Sequence, residues 1–131
     1  MQWLAQIHSV LRWPVLLLGF AAAAKYAISL ARNSPFTRAD SILGTLFASA
    51  LDAQALVGVV LLGSLLLREG DLPPTNRILH AGTMFFALAA AHQTARWSGA
   101  NPARRFRNGL IAYTLAIVLI LLGILVILQG G

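Results

Sequence analysis

Four long apolar stretches, separated by short polar punctuation, set the pattern of this chain. Each is long enough to cross a hydrocarbon core of about 30 Å, which takes ~20 helical residues at 1.5 Å apiece. The first predicted helix runs from Leu4 to Leu30, with Trp3 and Trp13 toward one end and Lys25 and Tyr26 toward the other. Pro14 falls inside it and removes one N–H from the helical ladder, which marks a place for a kink. Asn33-Ser34-Pro35 ends this helix, and Thr37 to Asp40 read as a short polar connection. The second predicted helix runs from Ser41 to Leu67 and stops at Arg68-Glu69-Gly70-Asp71-Leu72-Pro73-Pro74, where charges, glycine and two prolines coincide. Thr75 or Asn76 is placed to cap the third, from Ile78 to Trp97, the shortest and most polar of the four. Ser98 to Pro102 closes it, and the basic stretch Arg104, Arg105, Arg107 leads into the fourth, from Gly109 to Leu128. That last stretch is almost uniformly aliphatic, so much of its surface is expected to face lipid.

The pattern predicts an all-α integral membrane four-helix bundle, up-down-up-down, forming a single transmembrane domain over residues 1–131. Basic residues favour the cytoplasmic side of a membrane. Lys25, Arg32, Arg38, Arg96, Arg104, Arg105 and Arg107 flank the first and third loops, against Arg12, Arg68 and Arg77 at the other ends. Both termini are therefore expected on the non-cytoplasmic side. No internal repeat and no low-complexity tail stands out.

Composition sharpens this picture. Of 131 residues, 58% are hydrophobic and only 11% charged, where a soluble domain carries about a quarter. The mean hydropathy is +0.75. The net charge of +6 sits at segment ends and is not interleaved with aromatic residues in a polar segment, so nucleic acid is not an expected partner. The absence of cysteine excludes disulfides, thiolate metal sites, Cys-ligated iron–sulfur clusters and c-type haem attachment. The start of the chain lacks a basic region ahead of the apolar stretch, and that stretch is longer than a signal sequence needs, so no cleavable signal peptide is expected.

Against this background, ionisable groups within the apolar layer are candidate sites, because each is costly there. They are His8, Asp52, His80 and His92, with Gln54 beside them. The first and third helices run the same way, and His8 and His80 both lie near their beginnings, at similar depth. His92 lies twelve residues beyond His80, ~18 Å further along and about 120° around the helix. It is thus roughly level with Asp52, in the middle of the second helix. Two polar clusters are expected: His8 with His80, and Asp52 with Gln54 and His92. Thr45, Ala48, Ser49, Ala55 and Gly63 accompany Asp52, and Met84, Ala87 and Ala91 continue the His80 stripe. These small or soft residues suit close helix packing or a flat ligand, and both faces are expected to point into the bundle.

Two neutral imidazoles from facing helices can ligate the iron of a haem b. Arg12, one turn after His8, could pair with a propionate or a quinone oxygen. Asp52 and His92 could form a buried pair, a proton relay or a quinone site. The plainer readings stand beside these. A histidine at a helix end bonds water or a headgroup, His92 can serve helix packing, and Lys25 can extend to the interface. Trp3, Trp13 and Trp97 suit interfacial anchors.

The stretch Ile7-His8-Ser9-Val10-Leu11-Arg12-Trp13 resembles the opening of small bacterial four-helix membrane proteins with H-S-x-L-R-W in the first helix, often labelled cytochrome b-like. The likeness continues through Gln54-Ala55-Leu56-Val57-Gly58 and through His80, Met84 and His92. It implies haem, adds weight to His8, His80 and His92, and implies a multi-pass protein of the bacterial inner membrane. This chain departs from the family pattern at Asp52, where a histidine is expected. A carboxylate is a poor partner for a bis-imidazole haem, which leaves His8 and His80 as the ligand pair. A looser likeness to DoxX-like four-helix proteins rests on Arg12, Gly19 and Lys25.

The function expected is that of a small membrane cytochrome b-like or quinone-linked electron carrier, with haem b between the first and third helices. One alternative is a non-catalytic subunit or assembly partner of a larger membrane complex. Another is a small proton-coupled transporter resting on Asp52 and His92. The lipid bilayer and other membrane subunits, or further copies of the chain, are the expected partners. No nucleophile–base pair, phosphate-binding loop or pair of catalytic carboxylates is visible, so the sequence assigns no enzymatic reaction.

Overall fold

The computed structural model describes residues 2–129; Met1, Gly130 and Gly131 lie outside them. Among the described residues the chain forms four α-helices, α1 (Gln2–Ala31), α2 (Arg38–Glu69), α3 (Thr75–His92) and α4 (Pro102–Gln129), with a 3-10 segment, η1 (Gln93–Trp97), continuing α3. Three of them, α1, α2 and α4, are long and apolar enough to cross a membrane, which makes this a multi-pass membrane protein. α3 is not among them, because Asn76, Arg77, His80 and His92 fall within its 18 residues. The four expected helices are all present, and three of them stand out as spans by length and composition.

All four helices begin earlier than the hydrophobic pattern indicates, and in α2 and α4 polar side chains build the first turn. Thr37 caps α2: its hydroxyl accepts from the Asp40 N–H, and the Asp40 carboxylate accepts in return from the Thr37 N–H. This reciprocal bonding turns Arg38 to Asp40 from an expected connection into the first turn of a helix. Arg104, Arg105 and Arg107 likewise lie inside α4, whose first turn is held by Arg104 N–H donating to Asn101 Oδ1 at 2.9 Å. Thr75 and Asn76 do not cap α3. Pro74 stands at the cap position, and its carbonyl accepts from the N–H groups of Arg77 and Ile78.

α1 packs on α2 and α4, and α3 packs on α4 and more lightly on α2, so α1 and α3 lie on a diagonal. Neighbours run in opposite directions. Along α1, His8 meets Gln54, Gly19 meets Phe47, and Tyr26 meets Asp40 of α2. The core is built on stripes at helical spacing: Val15, Gly19, Ala22 and Tyr26 on α1, and Phe106, Gly109, Tyr113, Ala116 and Ile120 on α4. Small residues in these stripes let backbones approach, and the Phe47 ring lies directly on Gly19.

α4 therefore does more than line the lipid. One face, with Ile111, Leu115, Val118, Leu122 and Leu125, is exposed as expected, while the other forms much of the core. α2 is the least buried of the three apolar helices. Its inward face is Asp40, Gly44, Phe47 and Leu51, and the Asp52 face, with Thr45 and Ser49, turns instead to the flank beside α3. The His80 stripe does point inward, ending in buried Ala87 and Ala91.

Candidate functional site

Two of the predicted site residues meet across the diagonal. The rings of His8 and His80 stand with centroids 6.2 Å apart and planes at 81°. Each ring rests where the adjacent helix has no side chain. A Cβ added at Gly58 of α2 would lie 3.1 Å from His8 Cε1, and one added at Gly123 of α4 would lie 3.4 Å from His80 Nδ1. His80 Nδ1 bonds the Gly123 carbonyl oxygen at 2.8 Å. A carbonyl only accepts, so Nδ1 carries the hydrogen and a neutral ring keeps its lone pair on Nε2. Tying down one ring nitrogen in this way is how ligating histidines are oriented.

The surroundings of the pair are under-bonded. Among the described residues, three buried side-chain polar atoms have no partner: His8 Nδ1, Arg12 Nε and Gln54 Oε1. All three belong to this end of the bundle. Gln54 donates from Nε2 to the His8 carbonyl at 2.7 Å. The Arg12 guanidinium lies 5.0 Å from the centre of the Trp13 ring. Buried polar atoms are rarely left without partners, so their concentration here marks a place with capacity to bind.

Gln54 thus leaves the cluster in which the sequence reading put it. It lies two positions beyond Asp52, about 200° around the helix, so the two side chains point opposite ways. Asp52 and His92 do pair: His92 Nε2 donates to Asp52 Oδ1 at 2.7 Å. The expected buried pair is corrected to a half-exposed one, with the side chains 47% and 50% accessible. His92 ends α3, where the winding tightens into η1, and lines a cleft of about 240 Å³ between α2 and α3.

A third polar group was not anticipated. Lys25 Nζ donates to Asp40 Oδ1 and to Ser29 Oγ, each at 2.7 Å, and the Tyr26 hydroxyl donates to the Asp40 carbonyl at 2.9 Å. Asp40 is fully buried, whereas Lys25 is 47% exposed, so the cation that was expected merely to reach the interface neutralises an interior carboxylate. The Thr37-x-x-Asp40 spacing was the available signal. Beside this pair lie the rings of Tyr26, Phe36, Phe106 and Tyr113, with Arg105 stacked 3.6 Å from the centre of Phe36.

Among the described residues no group of three or more His, Cys, Asp or Glu side chains converges to hold a metal ion. Two imidazoles can hold a metal that brings its own remaining ligands, as a porphyrin does. The pair of imidazoles and the unpartnered Arg12 Nε are the kinds of group that suit a haem. Comparison with protein-family models, with curated proteins and with solved structures finds no match.

Proposed function

We propose that this chain is a small membrane electron-transfer protein of cytochrome b type, in which His8 and His80 would hold a haem b between α1 and α3. The observation that carries this reading is the convergence of the two imidazoles, one of them with Nδ1 tied to a backbone carbonyl. A bound haem would supply one-electron chemistry at a site shielded by four helices. The chain's own residues hold and orient it. Gly58 and Gly123 make room for the rings, the Gly123 carbonyl fixes the His80 tautomer, and Arg12 is the cation available to a propionate. Gln54 and His8 Nδ1 offer further bonding capacity at the same end.

In this reading all four helices cross the bilayer, up-down-up-down. α3 alone covers about 27 Å, and η1 adds about 10 Å, enough for the ~30 Å core. The start of α1 and the end of α4 lie on the non-cytoplasmic side, by the distribution of basic residues. The membrane is the bacterial inner membrane, by the sequence resemblance. Redox partners are then other membrane subunits or lipid-soluble carriers.

The test is the visible absorption spectrum of detergent-purified protein, oxidised and dithionite-reduced, beside His8→Ala and His80→Ala. Sharp reduced bands of low-spin haem b, lost in either variant, are expected. A featureless spectrum from protein made with ample haem would exclude the reading and favour an assembly role.

A further inference from the structure

We propose that the cleft between α2 and the α3–η1 junction binds the headgroup of a lipid-soluble quinone. It lies on the side of the bundle away from the His8–His80 pair, and its case is independent of haem.

The cleft exists because α2 and α3 are the most lightly packed neighbours and face each other with small side chains. Ala48 on α2 and Ala91 and Ala95 on the opposite wall leave a slot between the two backbones. Its inner end is closed by the rings of Tyr26 and Tyr113, and Trp97 stands in its lining. Thr45, Ser49 and Ala95 are exposed, so the slot opens sideways, toward where lipid lies against the bundle. Its volume of about 240 Å³ suits one ring, being below the ~300–1,000 Å³ of sites for drug-sized ligands. The walls are mixed: alanines and aromatic rings alternate with the hydroxyls of Ser41, Thr45 and Ser49 and with His92 and Arg105.

The decisive group is His92. Its Nε2 is engaged by Asp52, and a carboxylate accepts, so Nε2 carries a hydrogen. The other ring nitrogen is left for a ligand. In the neutral ring it accepts from a quinol hydroxyl. Ser49 adds a hydroxyl on the facing wall, whereas Thr94 is already committed: it accepts from Tyr113 and donates to the Ala91 carbonyl. Asp52 lies near the middle of α2, and the pair is half exposed. A polar pair at that depth, open to hydrocarbon, is unfavourable unless something polar covers it. A headgroup seated in the cleft meets the pair on its His92 side, since His92 and not Asp52 lines the cleft, and its isoprenoid tail leaves between α2 and α3 into the phase in which quinones dissolve.

The experiment uses a Trp3→Phe/Trp13→Phe background, which leaves Trp97 as the single tryptophan, in lipid nanodiscs titrated with decylubiquinone. Saturable quenching of Trp97 fluorescence is expected. Ala48→Leu fills the slot and abolishes saturation. Asp52→Asn weakens it roughly tenfold through loss of the charge-assisted bond. Ser49→Leu, at an exposed position, repeats the block should Ala48→Leu disturb folding by circular dichroism. Quenching that stays linear in quinone, or saturates identically in the parent and in a folded cleft-filling variant, overturns the proposal. Saturable quenching lost in His8→Ala and retained in Ser49→Leu overturns it equally, by locating the quinone at the other end. Haem spectra recorded on the same samples separate this outcome from failure of the cytochrome reading.

Discussion

His80 is anchored to Gly123: the imidazole bonds the glycine carbonyl at 2.8 Å, and the missing side chain of that glycine is what lets the ring reach the backbone. A Cβ at Gly123 would lie 2.5 Å from Met84 Cε and 3.4 Å from His80 Nδ1. The nearer obstacle is the free end of a flexible thioether, which can swing away. Gly123→Ala is therefore expected to unfold within about 1 kcal/mol of the parent. Gly123→Leu has no such escape and drives His80 off its carbonyl, at about 1–3 kcal/mol. Thermal unfolding by circular dichroism in detergent, with haem content per chain measured alongside, checks both. Parent-like stability and haem content in Gly123→Leu would show that the glycine is not the seat of the ring.

The Lys25–Asp40 pair predicts a strongly non-additive double mutant. Lys25→Met strands the interior Asp40 carboxylate with only its Thr37 bonds. The cost is roughly 1–3 kcal/mol, less than for a fully buried pair because Lys25 is half exposed. Asp40→Asn removes the charge and frees Lys25 to reach water, so it costs less. The two changes combined are expected to be milder than Lys25→Met alone, since no charge is left inside. Unfolding in mixed micelles measures all three, and simple additivity would count against the pairing.

Depth was legible in the sequence because a helix rises by a constant amount per residue. His8 with His80, and Asp52 with His92, were paired on that ground, and each pair is in contact. Rotation is legible on the same ground, and the position of Gln54 opposite Asp52 follows from 100° per residue. Burial was harder to read. A uniformly aliphatic helix looks the same whether lipid or protein surrounds it, and only the Gly109, Ala112, Ala116 and Gly123 stripe distinguished the core face of α4. The partner of Asp40 was not legible, because it depends on where a turn of intervening chain returns α2 against α1.

Two glycines in helices make a paired prediction of opposite sign. A Cβ at Gly109 would lie 2.6 Å from Tyr26 Cε2, on a ring held by Phe36, Phe106 and Tyr113. Gly109→Ala is expected to destabilise by about 1–3 kcal/mol. At Gly82 nothing lies within 4 Å, and the backbone is helical. Gly82→Ala is expected to stabilise by about 0.4–1 kcal/mol through the lower entropy of the unfolded chain. The same unfolding assay ranks them, and a reversed order would contradict the packing of α1 on α4.

The crossing of α3 is the part of the proposed topology with most at stake, because His80 and His92 fall within that helix and its composition is the least apolar. The chain has no cysteine, so single-cysteine variants need no prior replacement. Asp71→Cys stands between α2 and α3, and Ser98→Cys follows η1. If α3 crosses with the predicted orientation, a membrane-impermeant maleimide labels Asp71→Cys in intact spheroplasts and labels Ser98→Cys only after permeabilisation. Labelling of both from the same side would mean that α3 with η1 does not cross. His80 and His92 would then not be separated along the membrane normal, and a haem between α1 and α3 would lose its shielding. Labelling with the two sides exchanged would keep the crossing but invert the orientation, showing that the arginines before and within α4 do not govern it.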